Sequence, residues 1–255
     1  MKVGFVVTAR MKSTRLEKKA TLEIYNRPLI SWMIDRIKLC ADLDHIIIAT
    51  STNPQDNVLE EIARKENIEC FRGSEDDVAA RLYEAAVKYK LDFFVNITAD
   101  CPLFSYDYVD ELISHFKNTR ADLITSKKLP HGLYIYGVKT EALGKVIELK
   151  KVTNTEVWGA FFYDRPDLFN VIDLPLPDSL SRSNYRLTID YPEDFDFFKK
   201  LFELLGKDTY KKNTQEIIDC LDQNPETAEI NWKCEELYQK KWDQQRDEMT
   251  NSSSD

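Results

Sequence analysis

Arg10, Lys12, Arg15, Lys18 and Lys19 crowd the segment TARMKSTRLEKK, where Glu17 is the one acid, in a chain whose net charge is −9. Arginine offers a planar fork that matches two phosphate oxygens, and lysine a compact point charge. Arg10, Arg15 and Lys19, with hydroxyl and backbone donors at Ser13 and Thr14, have the composition of a phosphate clamp. The segment contains no glycine, so it is neither the dinucleotide fingerprint GxGxxG nor the phosphate loop GxxxxGK[ST]. The same residues also read as a solvated basic loop, because charge runs usually face water. A second theme is carboxylate. Asp100 in ITADCP and Asp190 in LTIDYPED each stand two residues before a proline. Each could cap a helix N-terminus. Together, near a cationic loop, they could instead hold Mg²⁺, a hard cation served by one or two carboxylates plus substrate phosphates.

For these groups to meet, the chain must carry them to one edge of a sheet. Short apolar runs at 4–8, 45–50, 68–71 and 93–98 alternate with helical patterns at 28–40, 55–66, 77–89 and 106–116. That alternation predicts an α/β fold, a three-layer sandwich around a mostly parallel sheet. Ligands of such sheets bind beyond the carboxyl ends of the strands. The basic segment and ITADCP follow strand ends, and LTIDYPED is expected to end a further strand. Beyond residue 120 the pattern loosens. Runs 133–138 and 169–174 read as strands, and 141–149 and 155–163 as helical, with Gly159 a break. C-terminal helices are expected at 192–205, 213–222 and 226–243. No Pro/Gly/Ser-rich linker interrupts the chain, which predicts a single domain over 1–240 and a polar, disordered tail over 241–255.

Composition excludes several classes. No apolar run reaches the ~18–20 residues that span a bilayer, and the N-terminus lacks a signal-peptide layout, so a cytoplasmic protein without membrane contact is expected. Cys40, Cys70, Cys101, Cys220 and Cys234 form no CxxC and no Cys–His cluster. Reduced thiols follow, and a zinc site does not. The acidic balance argues against a nucleic-acid partner.

The motifs in order resemble the spore-coat-polysaccharide type of cytidylyltransferase, related to the CMP-sialic acid and CMP-3-deoxy-manno-octulosonate synthetases. ARMKSTRLEKK is similar to the family's A-R-M-x-S-T-R-L-P-G-K, CFRGSEDDVAARLYEAA to F-R-G-S-E-D-D-V, NITADCPLF to R-x-T-A-D-C-P-L, and RLTIDYPEDF to R-L-T-x-D-x-P-E-D. The resemblance covers roughly residues 1–240 and extends to NPETAEIN near its end. It implies a nucleotide-diphospho-sugar transferase-like fold and CMP transfer from CTP to a small acidic acceptor, an acidic sugar of the nonulosonic or octulosonic type, with Mg²⁺ as cofactor and pyrophosphate released. It assigns Ala9, Arg10, Ser13, Arg15, Lys19, Arg72, Gly73 and Ser74 to the nucleotide, and Arg15, Lys19 and Asp100 to catalysis. Asp100 and Asp190 fall to the metal. Apart from the resemblance, Arg186 and His131 are candidate contacts for an acidic acceptor, or plain surface charges. A homodimer is expected from the same resemblance, with the aromatic segment 158–163 as an interface. Two positions depart from the pattern: Glu17-Lys18 replaces Pro-Gly, removing a turn-forming pair before Lys19, and Asn96 replaces an arginine. Alternatives remain open. The acceptor could be a phosphonate, phosphate or other non-sugar acid. A nucleotide-sugar-dependent glycosyltransferase would also use acidic metal ligands, and a non-catalytic relative would bind nucleotide alone. Lys127, Lys128 and Arg182 are further candidate acceptor contacts or plain surface charges. Glu156 and Trp158 read as core or dimer interface in preference to a sugar platform, and Cys101 as a small buried residue.

Overall fold

The strand β1 (Val3–Thr8) is buried along its whole length, as expected of a strand with neighbours on both edges and helices on both faces. The computed structural model describes residues 1–13 and 15–251, so Thr14 of the basic segment lies outside the described residues. After β1 the basic segment ends in a 3-10 turn at Lys19–Thr21, and a small hairpin, β2 (Glu23–Ile24) with β3 (Arg27–Pro28), leads into α1 (Leu29–Ile37). Then follow β4 (His45–Ser51), α2 (Asn57–Glu66), β5 (Glu69–Gly73), α3 (Val78–Tyr89), β6 (Phe93–Thr98) and α4 (Val109–Thr119). The next elements are β7 (Leu123–Thr125), β8 (Tyr136–Lys139), α5 (Thr140–Leu149), α6 (Ala160–Tyr163) and β9 (Val171–Asp173). The chain closes with α7 (Pro192–Leu205), α8 (Thr214–Gln223), α9 (Pro225–Glu229) and α10 (Trp232–Asn251).

The main sheet runs β5-β4-β1-β6-β8-β7-β9. Its pairs are parallel except where β8 lies antiparallel between β6 and β7. One face is covered by α1, α2, α4, α7 and α8 around Phe5, Ile34, Leu112 and Phe198. The other is covered by α3, α5 and α6 around Val6, Leu82, Leu143 and Phe162. This is the three-layer α/β sandwich that the alternating runs predict. No described helix is long and apolar enough to cross a membrane, and the cysteines carry free thiols.

Differences from the sequence reading fall where periodicity is too short to see. Three-residue β7 and two-residue β2 and β3 carry no pattern of their own. Residues 187–190 are not a strand: the segment is extended and docks on loop backbone. Leu187 N donates to His131 O at 2.6 Å and Ile189 N to Asp100 O at 2.8 Å. Only Ala160–Tyr163 of the 155–163 pattern is helical. The helix expected over 226–243 is two helices, and α10 continues through residues 241–251, the start of the expected polar tail. Side-chain anchors hold that continuation. Gln245 donates to Glu156 at 2.7 Å, and Arg246 pairs with Asp164.

Gly132 makes the docking of 187–190 possible. Its φ is +93°, and a Cβ there would collide with the Leu187 carbonyl. Both conditions favour glycine. Gly132→Ala is therefore expected to cost about 2–4 kcal/mol, read by urea denaturation. Wild-type stability in that variant would mean that this close approach does not constrain the segment.

Candidate active site

The order of the sheet creates the site. The chain passes from β1 to β4 and β5 on one side, then returns to place β6 on the other. A crevice therefore opens beyond the carboxyl ends of β1 and β6, the switch point of an α/β sheet. Here lies a cavity of about 490 Å³. Its wall carries Ala9, Arg10, Ser13, Arg15 and Lys19 from the basic segment, Asp100 from beyond β6, and Asp190 and His131 from later loops. The expected clamp and the expected carboxylates thus share one cavity.

At its floor is a closed set of ion pairs. Lys19 Nζ donates to Asp100 Oδ2 at 2.6 Å and to Asp190 Oδ1 at 2.9 Å. Arg15 Nη2 donates to the same Asp190 oxygen at 2.5 Å. The other Asp190 oxygen accepts from Arg186 Nη2 at 3.1 Å. Burial would raise the Asp190 carboxyl, but Lys19, Arg15 and Arg186 outweigh it and hold it well below the usual carboxylate range. Burial likewise opposes charge on Lys19, and Asp100 with Asp190 outweighs it, so the ammonium is held above its ordinary range. Asp190 is not a helix cap. Tyr191 stands at the N-cap of α7, and Asp194, at the third helical position, reaches back so that its Oδ2 accepts from the backbone N–H groups of Asp190 and Tyr191 at 2.8 and 3.0 Å.

The replacement of Pro-Gly does not misplace Lys19. Lys18 takes up the left-handed conformation, φ 54° and ψ 27°, that glycine adopts without strain. A lysine does so at roughly 1–2 kcal/mol. Asn96 is buried, with Nδ2 bonded to Val6 O at 2.8 Å and Thr8 Oγ1 at 3.0 Å. It ties the two strands whose ends form the site.

Other expected residues do not reach the cavity. Arg72 spends its guanidinium on Ser51 O, Asn53 O, Asn57 and Glu60, all near the carboxyl end of β4 and the start of α2. Gly73 and Ser74 are also absent from the cavity wall. The same stretch contributes Asp76 and Arg81 instead. Arg186, expected at the acceptor, lies behind the cavity wall: its side chain is 1% exposed and is locked to Asp190, Asp194 and Glu235. It positions Asp190. His131 lines the cavity with Nδ1 2.8 Å from Glu235. Arg182 pairs with Asp222 and Lys128 with Asp178. Cys101 is buried, and burial pushes its thiol well up, away from the reactive thiolate.

The sequence reading missed several wall residues. Glu156, read as core, pairs with Arg10, and Trp158 borders the same space. Tyr238, Lys241, Trp242 and Gln245 arrive from α10. Arg81 is fully buried on α3, bonded to Ser74 O at 2.5 Å and Glu75 O at 3.1 Å. Among the described residues its Nε and Nη2, and Nη1 of Arg15, are buried without a partner.

A parallel-sheet crevice with cations and carboxylates at its switch point is a nucleotidyltransferase arrangement. The chain belongs to the cytidylyltransferase family, whose model matches residues 5–224. It is 34% identical over 235 residues to an uncharacterized protein of Methanocaldococcus jannaschii, covering 91% of this chain and 95% of the other. It is 28% identical over 230 residues, 88% of this chain and 95% of the other, to the spore coat polysaccharide biosynthesis protein SpsF of Bacillus subtilis. The solved structure of a cytidylyltransferase from Leptospira borgpetersenii superposes with a TM-score of 0.82 at 26% identity, covering 89% of this chain and 97% of that one.

The ion-pair cluster has a measurable consequence. Asp190→Asn leaves Arg15, Lys19 and Arg186 without their shared buried charge, and is expected to destabilise the protein by about 3–5 kcal/mol near neutral pH. Because the folded pKa is depressed, the carboxylate's contribution is fully present above the ordinary value of 3.8 and fades as pH falls below it. The gap between wild type and variant, from urea melts at stepped pH, should stay constant above that value and narrow beneath it. A gap already closing at neutral pH would contradict the assignment.

Proposed function

We propose that the protein is a Mg²⁺-dependent enzyme of the cytoplasm that transfers CMP from CTP to an acidic sugar for surface glycan synthesis. The observation that carries this reading is the meeting of Arg10, Arg15 and Lys19 with Asp100 and Asp190 at the ends of β1 and β6. Without ligand these charges neutralise one another. A triphosphate offers the cations stronger, multidentate partners, which would release the two carboxylates.

The donor set fits a hard divalent cation. The Lys19 ammonium already bridges Asp100 and Asp190, so two carboxylates converge on one positive charge. One or two carboxylates are enough for Mg²⁺ when substrate phosphates complete its shell. When bound, Mg²⁺ supplies charge neutralisation at the phosphates.

The protein's own residues do the remainder. An acceptor hydroxyl oxygen bonds to the α-phosphorus as the bond to the β-phosphate oxygen breaks, and the hydroxyl proton passes to water. Arg15 and Lys19 hold the oxygens of the departing pyrophosphate, where charge builds. Arg10, kept in place by Glu156, holds the triphosphate from the opposite wall. Most of the rate gain comes from alignment of acceptor and phosphorus.

The test is pyrophosphate release with CTP, UTP, ATP or GTP, Mg²⁺, and a panel of acidic sugars and small phosphonates. Release is expected with CTP and an acidic sugar. Release with a phosphonate would reassign the acceptor, and failure to bind CTP would undo the reading of the basic segment. With the productive pair, Asp100→Asn is expected to keep the fold and lower kcat by about 10²–10³-fold. A near-wild-type rate would remove Asp100 from the chemistry.

A further inference from the structure

The cavity is larger than its cluster of ion pairs, and its cations are not all matched. Arg10, Lys12, Arg15 and Lys19 each have a carboxylate partner. Arg81 is held by backbone carbonyls. Among the described residues Lys127 and Lys241 line the cavity with no carboxylate at ion-pairing distance. A cation left unmatched on a cavity wall is a place for a ligand's anion.

The two lysines stand in different company. Lys241 projects from α10, and its pKa is lowered first by burial and then by Arg15, with Lys19 and Arg10 adding to the effect. It belongs to the phosphate end. Lys127 lies two residues past the end of β7. Because β7 runs parallel to β6 across the reversed β8, that end lies on the same sheet edge as Asp100. The Lys127 ammonium sits 3.5 Å from the centroid of the Tyr163 ring. Around it the wall is aromatic. Tyr136 opens β8 and meets Trp158 edge to face at 6.0 Å, and Trp242 enters from α10.

We propose that this aromatic half is the acceptor subsite, which takes a monocarboxylated sugar with its carboxylate on Lys127 and its C–H faces against Tyr136, Trp158 and Tyr163. The proposal rests on the cytidylyl-transfer reading and names the residues that select the acceptor. The cation nearest Lys127 in its electrostatic surroundings, Arg246, is paired with Asp164, which leaves the Lys127 ammonium as the group to match one carboxylate. A phosphonate dianion would call for a fork or a second cation, as the phosphate end provides. The rings suit a ligand with an apolar face and a few polar groups. α10, which lies beyond the segment matched by the family model, forms the roof of both halves.

The experiment separates the subsite from the reaction class. CTP affinity is measured first, by calorimetry with Mg²⁺. Binding of N-acetylneuraminate, its methyl ester, 3-deoxy-manno-octulosonate and 2-aminoethylphosphonate is then followed by ligand-observed NMR on CTP-saturated protein in EDTA, so that no transfer occurs. Wild type is expected to bind at least one of the two acids, and to prefer N-acetylneuraminate over its ester by about tenfold or more, the range of a partly desolvated charge pair. Lys127→Met should abolish that preference and leave CTP affinity within about twofold, Lys127→Arg should keep it, and Tyr163→Leu should weaken acid and ester alike. Absence of CTP binding would fail the cytidylyl-transfer reading, and the subsite with it. With CTP bound, the subsite alone is overturned by any of four results: no acid binds, acid and ester bind equally to wild type, Lys127→Met keeps the preference, or the phosphonate binds best.

Discussion

Asp190 is a carboxylate buried to 3% exposure and faced by three cations. An isolated ion at that depth would cost several kcal/mol, and partners offset the cost only with good geometry and further hydrogen bonds. Much of the site is arranged to supply those partners. Arg186 approaches from behind, itself fixed by Asp194 and Glu235. Asp194 in turn accepts the backbone N–H of Asp190 and closes the capping box at the start of α7. Glycine at 132 lets the segment carrying Asp190 lie against the loop after β7. Arg15 and Lys19 then close on it from the front. A single buried charge thus ties the basic segment, the sheet edge and the C-terminal helices into one site.

The same arrangement accounts for the acidic chain's basic loop. The cations are not a solvated patch, because each of Arg10, Arg15 and Lys19 is matched to a carboxylate inside the cavity. Their grouping is kept in spite of strain. Lys18 holds a left-handed backbone that glycine would take freely, and Lys19 still reaches both aspartates. Burial and charge balance thus gather the cations and carboxylates into one crevice at the junction of β1 and β6.

Legibility in the sequence followed the length of the signal. β6 and α7 occupy the residues their patterns predict, and the run of alternating strands and helices was enough for the sandwich. The clamp and its carboxylates were legible because charge crowding beside a short apolar run is rare and local. What failed was whatever depends on contacts far apart in sequence. Arg72 and Arg186 look alike as free cations in a linear chain, yet both are consumed by partners near β4 and α10. Lys127 was legible only as one of several candidate acceptor cations, and its place beside the aromatic wall depends on the sheet's reversal at β8. α10 carries wall residues in a stretch whose polar composition reads as a tail. Its helix is anchored by Glu156 and Asp164, which precede it by about eighty residues.

The central claim is that Lys19 stands between Asp100 and Asp190 in the place of a divalent cation until a triphosphate draws it away. Water-proton relaxation with Mn²⁺ tests this without any acceptor. Wild type alone should give almost no enhancement, wild type with CTP a strong one, and Lys19→Met should show enhancement without nucleotide. Strong enhancement by the wild-type protein alone, unchanged on adding CTP, would contradict the claim, because the carboxylates would then be free for metal while Lys19 is in place.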